Sequence, residues 1–113
     1  MGLRVEHEGF GPTWLSFKHI EDFAANKRGR LIYGPVATDA ILESSVGEVA
    51  RAQARLHPDD QFIKEVGRTV AMRKLSYQLK ALGYDRDFRN AVRLAYENRF
   101  NRPAKSDGYG AGV

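Results

Sequence analysis

The chain has 113 residues, 42% hydrophobic and 28% charged, which is the composition of one ordinary globular domain. It has no cysteine, which excludes disulfides, thiolate nucleophiles and Cys-ligated zinc. No apolar run approaches the ~18 residues of a membrane-spanning helix, residues 1–10 lack the apolar core of a signal peptide, and a net charge of +4 disfavours an acidic mimic of DNA; a cytoplasmic protein without membrane contact is expected.

Leu3, Val5 and His7 alternate with Arg4, Glu6 and Glu8, and Thr13, Leu15 and Phe17 alternate with Trp14 and Ser16. Gly9, Gly11 and Pro12 lie between the two runs, so residues 3–17 are expected to form a β-hairpin. Trp14 is expected in or beside the core, with stacking on a base as the alternative. Over residues 19–27, Ile20, Phe23 and Ala24 have helical spacing, and the basic cluster at residues 26–30 reads as the end of a short helix, where cations suit the dipole. A phosphate-contacting loop is the alternative for that cluster. Residues 31–33 are a short β-rich run broken at Gly34 and Pro35; a strand is expected over 36–43, then a turn through 44–47.

From residue 49 to 56, Ala50, Ala52, Ala54 and Leu56 alternate with Val49, Arg51, Gln53 and Arg55. Period-two alternation predicts a strand with one small buried face, leaving Arg51 and Arg55 on the open face. Alanine is a weak strand former, but the stop imposed by Pro58 on His57 supports the strand. Asp59 or Asp60 is expected to cap a helix over about 61–82, with Gly83 at its C-terminus. No second carboxylate or histidine stands at ligand spacing from them, so no metal is expected.

The apolar residues of this helix form two groups. Phe62, Ile63, Val66, Val70 and Tyr77 are expected to include the sheet-facing contacts, with Phe62, Val66 and Val70 buried there. Ala71, Leu75, Leu79 and Leu82 lie nearly opposite; Leu75 and Leu79 are expected to meet Phe88 and Val92 of the next helix. Gly67 costs about 1 kcal/mol relative to Ala in a helix interior and is expected to permit close backbone approach. Arg68 beside it is expected to be structural, with a partner contact as the alternative. Asp85 is expected to cap the last helix, whose stripe is Phe88, Ala91, Val92, Ala95, Tyr96 and Phe100. Residues 101–113, with one proline and three glycines, are expected to form a flexible tail to a domain spanning 1–100.

The fold class these elements imply is α+β: a small, mostly antiparallel sheet of about four strands with a short inserted helix, packed with two C-terminal helices. Charge is uneven along it. Residues 1–46 carry five Lys and Arg against six Asp and Glu, whereas residues 47–105 carry thirteen against seven. A basic C-terminal half points to an acidic partner, nucleic acid above all. The candidate contacts are Arg51, Arg55, Lys64, Arg68, Arg73, Lys74, Arg89 and Arg93, meeting phosphates without reading bases. Asp59, Asp60, Glu65, Asp85 and Asp87 interleave them. The chain lacks a phosphate-binding glycine loop and an HExxH motif, and its three histidines fall in three separate elements. Neither a cofactor nor catalysis is expected.

Asp60, Phe62, Lys64, Gly67, Arg68, Ala71 and Arg73 form a strand, acidic cap, Phe, Gly-Arg, Ala, basic sequence over about residues 47–75. This pattern resembles one in small uncharacterised proteins of bacteriophages and mobile elements. The resemblance implies a viral or mobile-element origin, hence a host cytoplasm, and implies no reaction. Two function classes lead: a nucleic-acid-binding accessory protein, or a protein-binding inhibitor of a host defence system or host enzyme. An enzyme and a virion part rank behind them.

Overall fold

The computed structural model describes residues 2–7, 9, 11–57 and 61–100, the last without its side chain. Along the chain lie β1 (Leu3–Val5), β2 (Thr13–Ala25), β3 (Leu31–Ser44), β4 (Gly47–Arg55), α1 (Lys64–Ala81), α2 (Arg86–Glu97) and a single 3-10 turn at Asn98–Phe100. The strands form one antiparallel sheet in the order β1-β2-β3-β4, so the fold is the α+β arrangement of four strands and two C-terminal helices. α1 lies over β4 and β3, and α2 over β1 and β2. Among the described residues no helix is long and apolar enough to cross a membrane.

The inserted helix expected at residues 19–27 does not exist; those residues continue β2 to Ala25 and then turn. The reason lies in the turn. Asn26 N–H donates to Arg30 O at 2.8 Å, Gly29 N–H to Asn26 O at 2.9 Å, and the Asn26 side-chain oxygen accepts from the N–H groups of Arg28 and Arg30. Gly29 has φ 81°, the left-handed conformation that a three-residue hairpin loop requires at its last position. What looked like a basic helix end is a hairpin turn. β3 correspondingly starts at Leu31 and passes through Gly34 and Pro35 without a break. β4 pairs only from Ala37 onward, so Pro35 needs no donor on that side. A register shift between Ile20 and Glu21 leaves Val36 as the extra residue.

β4 follows its sequence pattern: Ala50 and Ala54 are buried, Ala52 half-buried, and Arg51, Gln53 and Arg55 exposed. Val49 departs from it. A second register shift, between Leu42 and Glu43, makes Val49 the unpaired residue, and it packs against the core instead of standing beside Arg51. The core holds Leu15, Leu42, Leu75, Leu79, Phe88 and Val92, all under 2% exposed.

α1 begins at Lys64, with Ile63 in the N-cap position and no side-chain cap; the capping expected of Asp59 and Asp60 falls outside the described residues, as does the tail beyond Phe100. Its C-terminus is closed as expected: Gly83 (φ 94°) donates to Lys80 O and Tyr84 to Leu79 O, which satisfies two of the helix's last carbonyls. Asp85 caps α2, accepting from Phe88 N–H at 2.9 Å.

The sheet-facing stripe of α1 is a correction. Val66 is 54% exposed, and Phe62 and Val70 are only half-buried. Gly67, Ala71 and Leu75 face the strands instead. Small residues win because β4 presents alanines, and a helix settles closest where its own side chains are small. The expected burial of Leu75, Leu79, Phe88 and Val92 is observed.

Candidate nucleic-acid interface

The eight basic residues singled out by sequence divide among four places. Arg51 stands on the open sheet face, where Nη1 donates to Asp39 Oδ2 at 2.9 Å and Nη2 to Glu48 Oε1 at 3.0 Å. Asp39 is itself 3% exposed and accepts from Gln53 Nε2 at 2.9 Å. A buried carboxylate requires such partners, so Arg51 is committed to neutralising two acids. The hydrogen bonds to Glu48 and Asp39 hold its pKa above the usual value against the opposing effect of burial. Trp14 is half-buried on the same face, with the Arg4 guanidinium 6.0 Å from its ring centroid.

Lys64 and Arg68 lie on the other side, at the β2 end of α1. Arg68 donates to Glu65 Oε1 from Nε (3.2 Å) and Nη2 (3.0 Å), and Nη1 lies 3.5 Å from His19 Nε2. His19 Nδ1 is 2.8 Å from Thr38 Oγ1. Glu65 also accepts from Tyr96 OH at 2.9 Å and from Arg99, tying α1 to α2. Sequence reasoning did not see this network, because His19, Glu65, Tyr96 and Arg99 sit on four different elements. Glu65 is its hub, and Arg68, held between Glu65 and His19, is an internal ligand of the fold.

The network titrates. Burial, then the charges of Arg68 and Lys64, hold the His19 pKa below 6.5. Burial alone would raise the Glu65 carboxyl, but hydrogen bonds from Tyr96, Arg68 and Arg99 outweigh it and hold it below 4.5. A group whose folded pKa is depressed binds protons more readily when unfolded, so its stabilisation is complete above the unfolded pKa and lost as pH falls. The melting temperature should therefore drop in two stages on acidification, first below pH 6.5 from His19 and then below pH 4.5 from Glu65. His19→Gln should remove only the first stage, and a wild-type melting temperature that stays level between about pH 7.5 and 5.5 would refute the first stage.

Arg89 and Arg93 lie on α2 and are likewise engaged. Arg89 Nε donates to Tyr84 O at 3.1 Å and pins the interhelical turn; Arg93 Nη1 pairs with Glu97 at 2.8 Å.

The fourth place is the outer flank of β4 and α1. Val66, Val70, Arg73, Lys74 and Tyr77 share one stripe of α1 at helical spacing. Val66 and Val70 line a groove of about 340 Å³ with Ala54, Arg55 and Leu56, so the stripe runs along the free edge of β4. Arg55 Nη1 donates to Gln53 Oε1 at 3.1 Å. Among the described residues no carboxylate lies within ion-pair reach of Arg55, Arg73 or Lys74. Tyr77 is 68% exposed between them and the helix end. Of the eight candidates, Arg73 and Lys74 share this stripe with Tyr77, while Arg55 stands on the neighbouring edge strand; Lys64, at the start of α1, likewise has no ion pair among the described residues.

Three further cations were passed over as a helix end: Lys27, Arg28 and Arg30, all exposed at the β2–β3 turn. The hairpin signal that would have found them was the Gly29 among polar residues between two β-rich runs. Among the described residues there is no group of histidines and carboxylates able to hold a metal ion. Compared with known proteins, the chain matches no family model, no curated protein and no solved structure.

Proposed function

We propose that this is a non-enzymatic accessory protein that binds nucleic acid in the cytoplasm of a host cell, in keeping with its resemblance to small bacteriophage proteins. The observation that carries the reading is that, among the described residues, Arg55, Arg73 and Lys74 have no carboxylate within ion-pair reach, with Arg73 and Lys74 on one stripe of α1 with the exposed Tyr77. Arg51, Arg68 and Arg93, by contrast, are paired with carboxylates of the fold. Unpaired cations meeting phosphates give weak, salt-sensitive, sequence-tolerant binding, on the order of 10⁻⁴–10⁻⁶ M at physiological salt.

A mobility-shift titration at low salt tests it. The Arg55→Glu/Arg73→Glu/Lys74→Glu variant should lose the shift, whereas Arg51→Gln should bind like wild type. The salt dependence of wild type should be steep, by roughly 0.7–0.9 log units per phosphate contact. No shift of any probe by wild type removes nucleic acid. A salt-insensitive complex with a host protein would then favour the inhibitor reading, with the apolar groove at Ile63, Val66 and Val70 as its contact.

A further inference from the structure

The β2–β3 hairpin outruns the rest of the sheet. β1 pairs with β2 only over Thr13 to Leu15, and β4 with β3 only from Ala37. Among the described residues the pairs from Glu21↔Pro35 to Ala25↔Leu31 therefore have no strand on either side, and residues 21–25 and 27–33 are all exposed. A two-stranded ribbon alone is marginal in water; this one is held by the Asn26 turn and by continuity with the sheet. It carries a directly opposed pair, Phe23 and Tyr33, 63% and 57% exposed, with ring centroids 5.1 Å apart in an edge-to-face arrangement. At its tip stand Lys27, Arg28 and Arg30, with no carboxylate in ion-pair reach among the described residues.

We propose that this arm binds single-stranded nucleic acid, with bases stacking on Phe23 and Tyr33 and the backbone held by Lys27, Arg28 and Arg30. The proposal rests on the nucleic-acid reading above and adds a second, separate contact with a defined ligand form. Water-exposed aromatic rings beside unpaired cations are the combination that single strands select, because stacking needs an accessible base face and a duplex hides its faces inside. The acids of the arm agree in placement. Asp22 turns its carboxylate to the Phe23 N–H at 2.7 Å, and Glu21 lies at the row nearer the sheet. Negative charge thus sits at the root and positive charge at the tip, roughly 10–13 Å from the aromatic row at ~3.3 Å per residue. A strand entering over the tip meets cations first and rings second.

Fluorescence anisotropy with labelled oligo-dT, oligo-rU and a hairpin duplex of equal length tests the proposal on the full chain. Phe23→Ala/Tyr33→Ala should weaken single-strand binding roughly tenfold or more and leave duplex binding and the salt slope as in wild type. Lys27→Ala/Arg28→Ala/Arg30→Ala should weaken both probes and flatten the single-strand salt slope by about 2 log units. The changes lie outside the core, so both variants should melt like wild type, which the same samples report. Unchanged single-strand affinity in the aromatic variant overturns the proposal, as does duplex binding as tight as single-strand binding. Sedimentation that shows wild type dimeric and the aromatic variant monomeric, with oligonucleotide affinity unmoved, assigns the arm to a second copy instead. Binding that responds to Arg55, Arg73 and Lys74 but not to the arm defeats this inference alone; no binding by wild type defeats both.

Discussion

Leu79→Ala is expected to destabilise the protein by roughly 2–5 kcal/mol, enough to lower its melting temperature by on the order of 10 °C or more. Leu79 is fully buried in the last turn of α1, within the core cluster that holds Leu75, Phe88 and Val92. Its carbonyl accepts the Tyr84 N–H that closes the helix, so the residue is fixed from both sides and its neighbours have little freedom to fill a void. Leu82→Ala supplies the comparison. It has the same side chain three residues on, but is 53% exposed at the helix C-cap, and should change stability by no more than about 0.5 kcal/mol. Equal melting temperatures for the two variants would displace Leu79 from the core.

Gly67→Ala should also destabilise, although it improves helix propensity by about 1 kcal/mol. A Cβ at residue 67 would lie 2.5 Å from Thr38 Oγ1 and 3.2 Å from Thr38 Cβ. Thr38 has no room to retreat: it is 1% exposed and its hydroxyl is 2.8 Å from His19. Overpacking of this kind costs about 1–3 kcal/mol, so α1 must lift from β3 or the hydroxyl must break from His19. Gly67→Val should be worse. Thr38→Ala removes the nearest atom, and in that background Gly67→Ala should recover most of its loss; the two sites are in contact and their effects should not add. A higher melting temperature for Gly67→Ala in the wild-type background would falsify the close approach of helix and strand.

The residues that sequence placed well are those whose burial repeats along one element. β4 announced itself because one of its faces is buried and the other wet, and α2 because its stripe forms one continuous face toward the core. The arm was illegible for the opposite reason. Neither of its faces is buried, so nothing forces alternation, and Ile20, Phe23 and Ala24 fell by chance into helical spacing. The stripe of α1 misled differently: Val66, Val70 and Tyr77 outweigh Gly67 and Ala71 in hydrophobicity, yet a sheet of alanines admits the small side first. Among the candidate cations, Arg55, Arg73 and Lys74 could be named but not separated from Arg51, Arg68 and Arg93. Pairing with Asp39 depends on a strand register set by a bulge, and pairing with Glu65 and His19 on two elements meeting in space.

The order of elements along the chain also shapes how the protein is made. Every strand pairs with its sequence neighbour, so each closure is local and little chain entropy is lost at any step. The two helices that cover the sheet emerge after all four of its strands during synthesis. At roughly 5–20 residues per second, the inner face of Leu15, Ala40, Leu42 and Ala50 waits a few seconds for its cover. Strands left waiting are prone to join those of other chains. Alanines along β4 make that face a poor template, since aggregation favours strong strand formers. The composition that draws α1 close in the finished molecule also protects the nascent one.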